Sequence, residues 1–466
     1  MAHDIGLIGL AVMGQNLALN MAERGFSVSV YNRTVSKVQE FVEGPAKGFS
    51  IEGFSDLKAF FKSLARPRKV ILMVKAGAAV DELIAHALPF LEKGDILIDG
   101  GNSLFLDSQR RMEELFEKGI LFMGVGISGG EEGARHGPSI MPGGATAAWP
   151  YLKPIFQKIS AHVDGVPCCD WVGEGGAGHF VKMVHNGIEY ADMQLISETY
   201  DILKQGLGFN HQELAKTFSG WNDGKLRSYL IQITAEIFAK KDTDGEPLVE
   251  KILDVAGQKG TGKWTVSNAL DLGVPLTLVS EAVFSRYLSS LYDERKQVSS
   301  FYKERIQPVR LDKSLLEDAL YAAKILSYTQ GFMLMNKASQ EYGWSINLGS
   351  CALMWRGGCI IRSVFLGKIK EAFDKNPSLS MLILDPFFEK ELGKSLPALR
   401  QVVAGAAISG IPVPCLAAAL TWFDGMRAAR LPTNLIQAQR DLFGAHTFER
   451  LDRPRGEMFH ADWSGE

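Results

Sequence analysis

Cysteine is scarce in this chain. Its five cysteines (Cys168, Cys169, Cys351, Cys359 and Cys415) are an odd number and contain no CxxC pair. That speaks against a disulfide framework and a zinc site, and for a reducing compartment, so a cytoplasmic location is expected. No sign of charge dominates either. A net charge of −3 gives no general attraction for nucleic acid or acidic membranes, and neither is expected as a partner. Any anion must therefore be held by local basic clusters. The opening Met-Ala-His-Asp runs directly into a strand-like segment, with no basic stretch followed by an apolar one, so no secretory signal is expected. One uncharged stretch, Gln401 to Phe423, is long enough to span a bilayer. Gly410, Pro412 and Pro414 interrupt it, which predicts a buried helix-turn-helix and no membrane span. What remains, 46% apolar and 22% charged residues over 466 positions, suits a soluble protein of two or three domains with a large core.

The first part of the chain alternates short apolar runs with helical spacing. Ile5–Leu10, Ser27–Tyr31, Lys69–Val74, Asp95–Asp99 and Ile120–Val125 read as buried strands, and Ala78–Leu91 and Asp107–Glu117 as helices. This alternation predicts a parallel, doubly wound sheet whose strand carboxyl ends collect ligands. At the glycine cluster Gly173–Gly178 the pattern changes to long amphipathic segments, beginning with Phe180 to about Gln205. The expected architecture is a Rossmann-like α/β domain over 1–176, a large all-helical domain over 177–435 and an extended tail over 436–466. Trp221–Leu230 resembles Trp355–Leu366, and Gln194…Gly208 loosely matches Gln330…Gly343. The offset is about 135 residues in both cases, which suggests an internal duplication.

Gly9-Leu10-Ala11-Val12-Met13-Gly14 follows a strand and opens a helix. It departs from the dinucleotide fingerprint only in alanine at the middle glycine, a residue still small enough for a pyrophosphate to approach the backbone. At the end of the second strand, Tyr31-Asn32-Arg33-Thr34 contains no acid to bond a ribose hydroxyl. A carboxylate there would repel a 2′-phosphate, whereas Arg33 can hold one, so NADP is favoured over NAD.

The segment Gly178-His-Phe-Val-Lys182-Met-Val-His185-Asn186-Gly-Ile-Glu189-Tyr190 carries the chemistry. At about 100° per residue, Lys182, His185, Asn186, Glu189 and Tyr190 share an arc of about 140°, with Val181, Val184 and Ile188 elsewhere. A solvated face with a Lys–Glu pair is the plain alternative. A pocket at a glycine-rich domain junction suits the mixture of amine, carboxyl, amide and imidazole better. Removing a hydroxyl proton lets hydride leave a carbinol carbon, and a lysine with a lowered pKa can do this. If the product is a β-keto acid, loss of carbon dioxide leaves an enediol, whose carbon an acid such as Glu189 must protonate.

Two loops are expected at strand ends, Asp99-Gly-Gly-Asn102-Ser103 and Gly126-Ile-Ser128-Gly129-Gly130, the second offering a hydroxyl and exposed amides. Simple flexible turns are the alternative reading. Gly257-Gln-Lys259-Gly-Thr261-Gly-Lys263-Trp264 looks like a P-loop, but Trp264 stands where Ser or Thr should hold magnesium, and Leu248–Ala256 before it reads as helix rather than strand. An ATPase reading fails. Lys259 and Thr261 remain suited to a sugar phosphate, with Arg286 as a second cation.

Assembled, the chain resembles the 6-phosphogluconate dehydrogenases from end to end, through GLIGLAVMGQNL, YNRT, DGGNS, GISGGEEGARHGPSIMPGG, HFVKMVHNGIEYADMQLI, DVAGQKGTGKWT and RDLFGAHTFER. That resemblance implies oxidative decarboxylation of 6-phospho-D-gluconate to D-ribulose 5-phosphate with NADP as acceptor, in a homodimer. It places a general base on Lys182 and a general acid on Glu189. NADP would meet the Gly9–Gly14 turn, Asn32, Arg33, Thr34, Val74, Lys75, Ala76 and Asn102. Substrate would meet Asn102, Ser128, Gly129, Gly130, His185, Asn186 and Tyr190, with Lys259 and Arg286 on its phosphate. Arg440 and His446, in the tail, would enter the partner subunit's site. Two alternatives stay open: a β-hydroxyacid dehydrogenase for a small unphosphorylated acid, and an NADP-sensing protein without catalysis.

Overall fold

Apolar runs covered on both faces form the strands, and helices with one apolar stripe cover them. The computed structural model describes residues 2–303 and 306–465. In the first half, β1 (Ile5–Ile8), α1 (Val12–Glu23), β2 (Val28–Tyr31), α2 (Val35–Glu43), β3 (Ile51–Phe54) and α3 (Leu57–Lys62) build one mononucleotide-sized unit. A second follows with β4 (Lys69–Leu72), α4 (Ala78–Ala87), β5 (Ile96–Asp99), α5 (Phe105–Phe116) and β6 (Leu121–Ser128). Then come α6 (Gly130–His136), β7 (Ser139–Gly144), α7 (Trp149–Ile159), a small hairpin of β8 (His162–Val163) with β9 (Val166–Pro167), and β10 (Gly173–Glu174).

Eight of these strands form one sheet in the order β10-β7-β6-β5-β4-β1-β2-β3. Every neighbouring pair is parallel except β6 with β7. The order reverses between β1 and β4, so the crevice at their carboxyl ends is the place where such a sheet takes a ligand. One core cluster, with Leu17, Met21, Phe41, Leu152 and Phe156, fills one face. Another, with Phe60, Phe61, Val80, Ile84 and Leu115, fills the other.

Two strand expectations are corrected. β6 does not stop at Val125 but runs to Ser128, because it pairs with the antiparallel β7, a strand the alternation of strand and helix does not announce. Gly126–Ser128 is therefore strand, and only Gly129 and Gly130 turn. The short β3 also goes unannounced by its sequence, since Glu52 and Gly53 interrupt its apolar pattern.

Beyond β10 the first compact unit, which extends to Ala419, is helical. α8 (Ala177–Asp201) is followed by α9 (His211–Trp221), α10 (Tyr229–Ala239), α11 (Thr261–Asp271), α12 (Thr277–Ser290), α13 (Tyr292–Phe301), α14 (Ser314–Tyr342), α15 (Leu348–Met354), α16 (Leu366–Lys375) and α17 (Pro386–Ser409). α18 (Pro414–Met426) starts after Gly410 takes a left-handed φ of 76°, giving the helix-turn-helix expected around Gln401–Phe423. Among the described residues no helix is long and apolar enough to cross a membrane. The helix expected over Leu248–Ala256 is only a single 3₁₀ turn, Leu248–Lys251, after which the exposed chain runs irregularly to Gly260. Pro247 can start a turn, but the apolar side chains Ile252 and Leu253 find no core there to hold a helix.

The second compact unit, from Leu420, contains α19 (Thr433–Gly444) and a loop closed by a Phe448–Phe459 bridge. Its hub is the buried Asp441 carboxylate, which accepts hydrogen bonds from Thr447 N at 2.9 Å, Ala461 N at 3.1 Å and Trp463 Nε1 at 2.8 Å. The tail expected to be extended from about 436 thus begins inside a helix, because these three bonds return the chain onto it.

Candidate active site

The β1–α1 turn is built around steric limits. Gly9 has φ 107°, and a Cβ there would lie 2.4 Å from Met73 O; a Cβ on Gly14 would lie 1.9 Å from Gly9 O. Only glycine fits either place. Ala11 sits at the N-terminus of α1 without capping its own helix, so the first-turn amides stay available to an anion. Val12 and Met13 form that first turn. Leu10 N donates to Asn32 Oδ1 at 3.1 Å, and Asn32 Nδ2 donates to Thr34 O at 3.1 Å, so Asn32 locks the turn against the end of β2. A groove of about 570 Å³ runs past Leu10, Ala11, Arg33, Thr34, Val74 and Lys75, with Ala76 next in the chain. Lys37 and His86, which sequence reading passed over, also line it. Their signal was available in principle, since Lys37 lies one helical turn beyond Arg33. The groove fits a dinucleotide: glycines where a pyrophosphate would press, free amides, and cations rather than an acid at the end of β2.

Asn102 is exposed at the tip of a loop that Asp99 holds from beneath. The buried Asp99 carboxylate accepts from Gly101 N at 3.0 Å, Ser103 Oγ at 2.6 Å and Arg111 Nη1 at 3.2 Å. His179, also buried, bonds Ser108 Oγ at 2.6 Å and so ties α8 to α5 behind this loop. These are not flexible turns. None of Asp99, Arg111 or His179 was singled out from sequence, because a buried polar network leaves no periodic trace.

α8 reaches the sheet through a seam of glycines. A Cβ on Gly178 would come within 2.2 Å of Gly124 O, and one on Gly126 within 2.4 Å of Lys182 Cβ. The seam lets α8 lie on the backbone of β6 and brings Lys182 to the end of that strand. We expect Gly178→Ala to destabilise the protein by about 1–3 kcal/mol through overpacking. Thermal denaturation checks this against Gly220→Ala, where an added methyl meets nothing; equal midpoints would show that the seam is not tight.

The predicted stripe on α8 converges on one imidazole. His185, fully buried, has Nδ1 3.5 Å from Lys182 Nζ, 3.1 Å from Asn186 Oδ1 and 3.9 Å from Glu189 Oε2. Its Nε2 lies 3.3 Å from Ser128 Oγ, at the end of β6. Burial pushes the Lys182 amine below its ordinary value, against the opposing pull of Glu189. Burial together with the Lys182 charge holds His185 well down, which favours the neutral imidazole. Burial raises the Glu189 carboxyl, partly offset by Lys182 and Arg286. A base made easier to deprotonate and an acid made easier to protonate thus flank one imidazole.

Of the remaining expected residues, Thr261 and Arg286 are tied to α8, whereas among the described residues no contact joins Lys259 to it, and Arg440 and His446 belong to the second compact unit. Asn186 Nδ2 donates to Thr261 Oγ1 at 3.2 Å, and the Arg286 guanidinium stacks 3.5 Å from the Tyr190 ring centroid. Arg286 Nη1 also donates to Gly257 O at 3.0 Å, which holds the irregular segment carrying the exposed Lys259. Gly129 and Gly130, with φ of 111° and 62°, turn the chain after Ser128. Arg440, on α19, bonds Gln437 Oε1 at 3.0 Å within the second compact unit, where His446 follows the helix. Sequence reading did not single out Gly358, whose carbonyl lies against Gly129 and accepts from Ser139 N at 2.8 Å.

Comparison with known proteins agrees in both halves. Residues 4–173 match the family model for the NAD binding domain of 6-phosphogluconate dehydrogenase, and residues 178–463 the one for its C-terminal domain. A decarboxylating 6-phosphogluconate dehydrogenase of Haemophilus influenzae is 58% identical, over 99% of this chain and 96% of that relative. One from Mus musculus is 57% identical over 99% and 97%. The Plasmodium falciparum 6-phosphogluconate dehydrogenase, solved apo, with its cofactor NADP+ and with its substrate 6-phosphogluconate, superposes with a TM-score of 0.96. It is 46% identical, covering 99% of this chain and 100% of that one. With both halves matched over nearly their whole length, the chain belongs to the 6-phosphogluconate dehydrogenase family.

Proposed function

We propose that this protein oxidises and decarboxylates 6-phospho-D-gluconate to D-ribulose 5-phosphate and carbon dioxide, with NADP reduced to NADPH. The observation that carries this reading is the group formed by buried Lys182 and His185 with half-buried Glu189, with its opposed pKa shifts, at the end of β6. Residues 1–176 would bind NADP and 177–435 the substrate, with 436–466 as a tail.

Bound NADP supplies a hydride acceptor. Gly9–Gly14 would take its pyrophosphate, and Asn32, Arg33 and Thr34 the adenosine end with its 2′-phosphate. Val74, Lys75 and Ala76 would flank it, and Asn102 would reach both ligands. Neutral Lys182 removes the substrate's hydroxyl proton as the hydride leaves the same carbon, giving a β-keto acid. Protonated Lys182 then returns that proton to the new carbonyl oxygen while carbon dioxide departs, leaving an enediol. Glu189 gives its proton to the enediol carbon, and Lys182 takes the hydroxyl proton as the ketone re-forms. One proton must then pass from Lys182 back to Glu189, and both groups approach His185 Nδ1. Ser128, Gly129, Gly130, Asn186 and Tyr190 would orient the substrate, and Lys259, Thr261 and Arg286 its phosphate.

The working form would be a homodimer in the cytoplasm. Phe284 and Leu288 on α12, Leu291 between the helices, and Val298 and Phe301 on α13 are all exposed apolar side chains, the kind of surface a partner covers. A second copy would cover it, with Arg440 and His446 entering the partner subunit's site. All five cysteines are free and buried, as a reducing compartment favours.

Protein mixed with 6-phosphogluconate and NADP is expected to give rising absorbance at the NADPH wavelength. Silence there with activity on hydroxyisobutyrate would move the reading to a small-acid dehydrogenase. Tight NADP binding with no turnover of any acid would move it to a sensor.

A further inference from the structure

The segments that resemble each other in sequence meet at a cavity bordered also by Val163 and Asp164. Tyr229 N donates to Arg362 O at 3.1 Å and Val364 N to Arg227 O at 3.2 Å, a reciprocal exchange that pairs Ser228 with Ser363 in antiparallel fashion. The exchange points the N-termini of α10 and α16 toward one space of about 570 Å³. Four cations border it, Arg227, Arg356, Arg362 and Lys368, against two acids, Asp164 and Glu371. Lys368 is taken up by Glu371 at 3.0 Å, and Arg356 reaches Asp164 only at 3.5 Å. The Arg227 guanidinium has no hydrogen-bond or ion-pair partner among the described residues. Arg362 gives one nitrogen to Cys359 O at 2.8 Å and lies 3.7 Å from the Tyr229 ring centroid, which leaves its other nitrogens free.

Two buried hydroxyls on this wall, those of Ser228 and Ser363, have no hydrogen-bond partner. Ser228 stands at the N-cap of α10, only 8% exposed, yet its hydroxyl caps nothing and has no hydrogen-bond partner. A buried unpaired hydroxyl costs about 1–3 kcal/mol, so its persistence beside the unpaired Arg227 guanidinium and the partly committed Arg362 points outward, to a ligand. The wall is preformed. Tyr328 OH donates to Ile361 O at 3.0 Å, and Ser139 N to Gly358 O, so the 355–363 segment is held from behind.

We infer that this cavity is a second anion site, which binds the phosphate of a small phosphomonoester between Arg227, Arg362 and the Ser228 hydroxyl at the N-terminus of α10. Two guanidinium groups and a helix N-terminus match a phosphate's charge and its several acceptor oxygens. The volume lies within the range of ordinary small-molecule pockets, about 300–1,000 Å³. The amides of Asn222 and Gln232, also on the wall, suit the hydroxyls of a sugar or polyol ester.

Equilibrium dialysis of the full-length protein with inorganic phosphate tests this, with NADPH at saturation to fill the proposed nucleotide site; 6-phosphogluconate is left out because, as a phosphomonoester, it would compete at both anion sites. The protein is expected to hold about one phosphate per chain more than Arg227→Ala/Arg362→Ala, in which NADPH formation is unchanged. Equal retention by the two proteins overturns the site. Should the double variant fold poorly, Arg227→Glu decides, since that exposed side chain supports no contact and its reversal must still expel the anion. Turnover of 6-phosphogluconate by the double variant reports separately on the proposed substrate site, so the two readings fail independently.

Discussion

Lys182→Met is expected to lower kcat by about 10²–10⁴-fold, the usual worth of a positioned general base, while NADP affinity stays as it was. Methionine nearly matches the lysine stem and is at ease in a buried site, so the change removes the amine and little else. Nucleotide binding survives because the cradle lies at the β1–α1 turn and the end of β2, and Lys182 is on α8. The sign of the pH dependence follows from burial. Desolvation moves the Lys182 amine down, so the neutral base accumulates as pH rises, and activity should climb through an acid limb. Glu189 is moved up, and its protonated form is lost as pH rises further, which sets an alkaline limb. The two apparent values belong to the pair, since Lys182 and Glu189 act on each other. In Lys182→Met the residual activity should lose its acid limb.

Glu189→Gln separates the two halves of the reaction. Oxidation precedes the step that needs this acid, so rapid mixing is expected to show a burst near one NADPH per site before a slow steady state. Lys182→Met should show no burst. A burst in the lysine variant, or normal turnover in it, would overthrow the assignment of the base.

Much of this was legible from residue spacing, and the reasons differ by element. The strands β1, β4 and β5 announce themselves because a strand covered on both faces must be apolar throughout, and Ile96–Ile98 and Val70–Leu72 are fully buried. The α8 stripe is visible because helical geometry alone brings positions 182, 185, 186 and 189 together, and these are the groups found around His185. The course of β6 past Val125 was hidden, since its length depends on a partner strand, β7, eleven residues beyond Ser128 in the chain. Neither Asp99 with Arg111 nor the Gly126–Lys182 approach could be read, because each joins positions far apart in sequence. The segment after Leu248 misled for the opposite reason: its residues favour a helix, and no tertiary surface is there to stabilise one.

Arg33→Glu should reverse the preference for NADP over NAD. The side chain is exposed on the groove wall and has no partner among the described residues, so nothing in the fold depends on it. Asn32 is already committed to Leu10 N and Thr34 O, which leaves Arg33 as the group at the end of β2 free to fork onto a 2′-phosphate. Losing two charge-assisted hydrogen bonds at about 1.5–3 kcal/mol each removes about 3–6 kcal/mol, or about 10²–10⁴-fold in the NADP/NAD ratio. The new carboxylate adds repulsion toward the phosphate and can accept from the ribose hydroxyl of NAD. Lys37 and Lys75, on the same groove, still attract the phosphate, so the lower end of that range is expected. Arg33→Ala distinguishes lost attraction from added repulsion, as it should weaken NADP without improving NAD. Steady-state KM values for both nucleotides measure this, and an unchanged NADP value in Arg33→Glu would mean that the lysines alone select the cofactor.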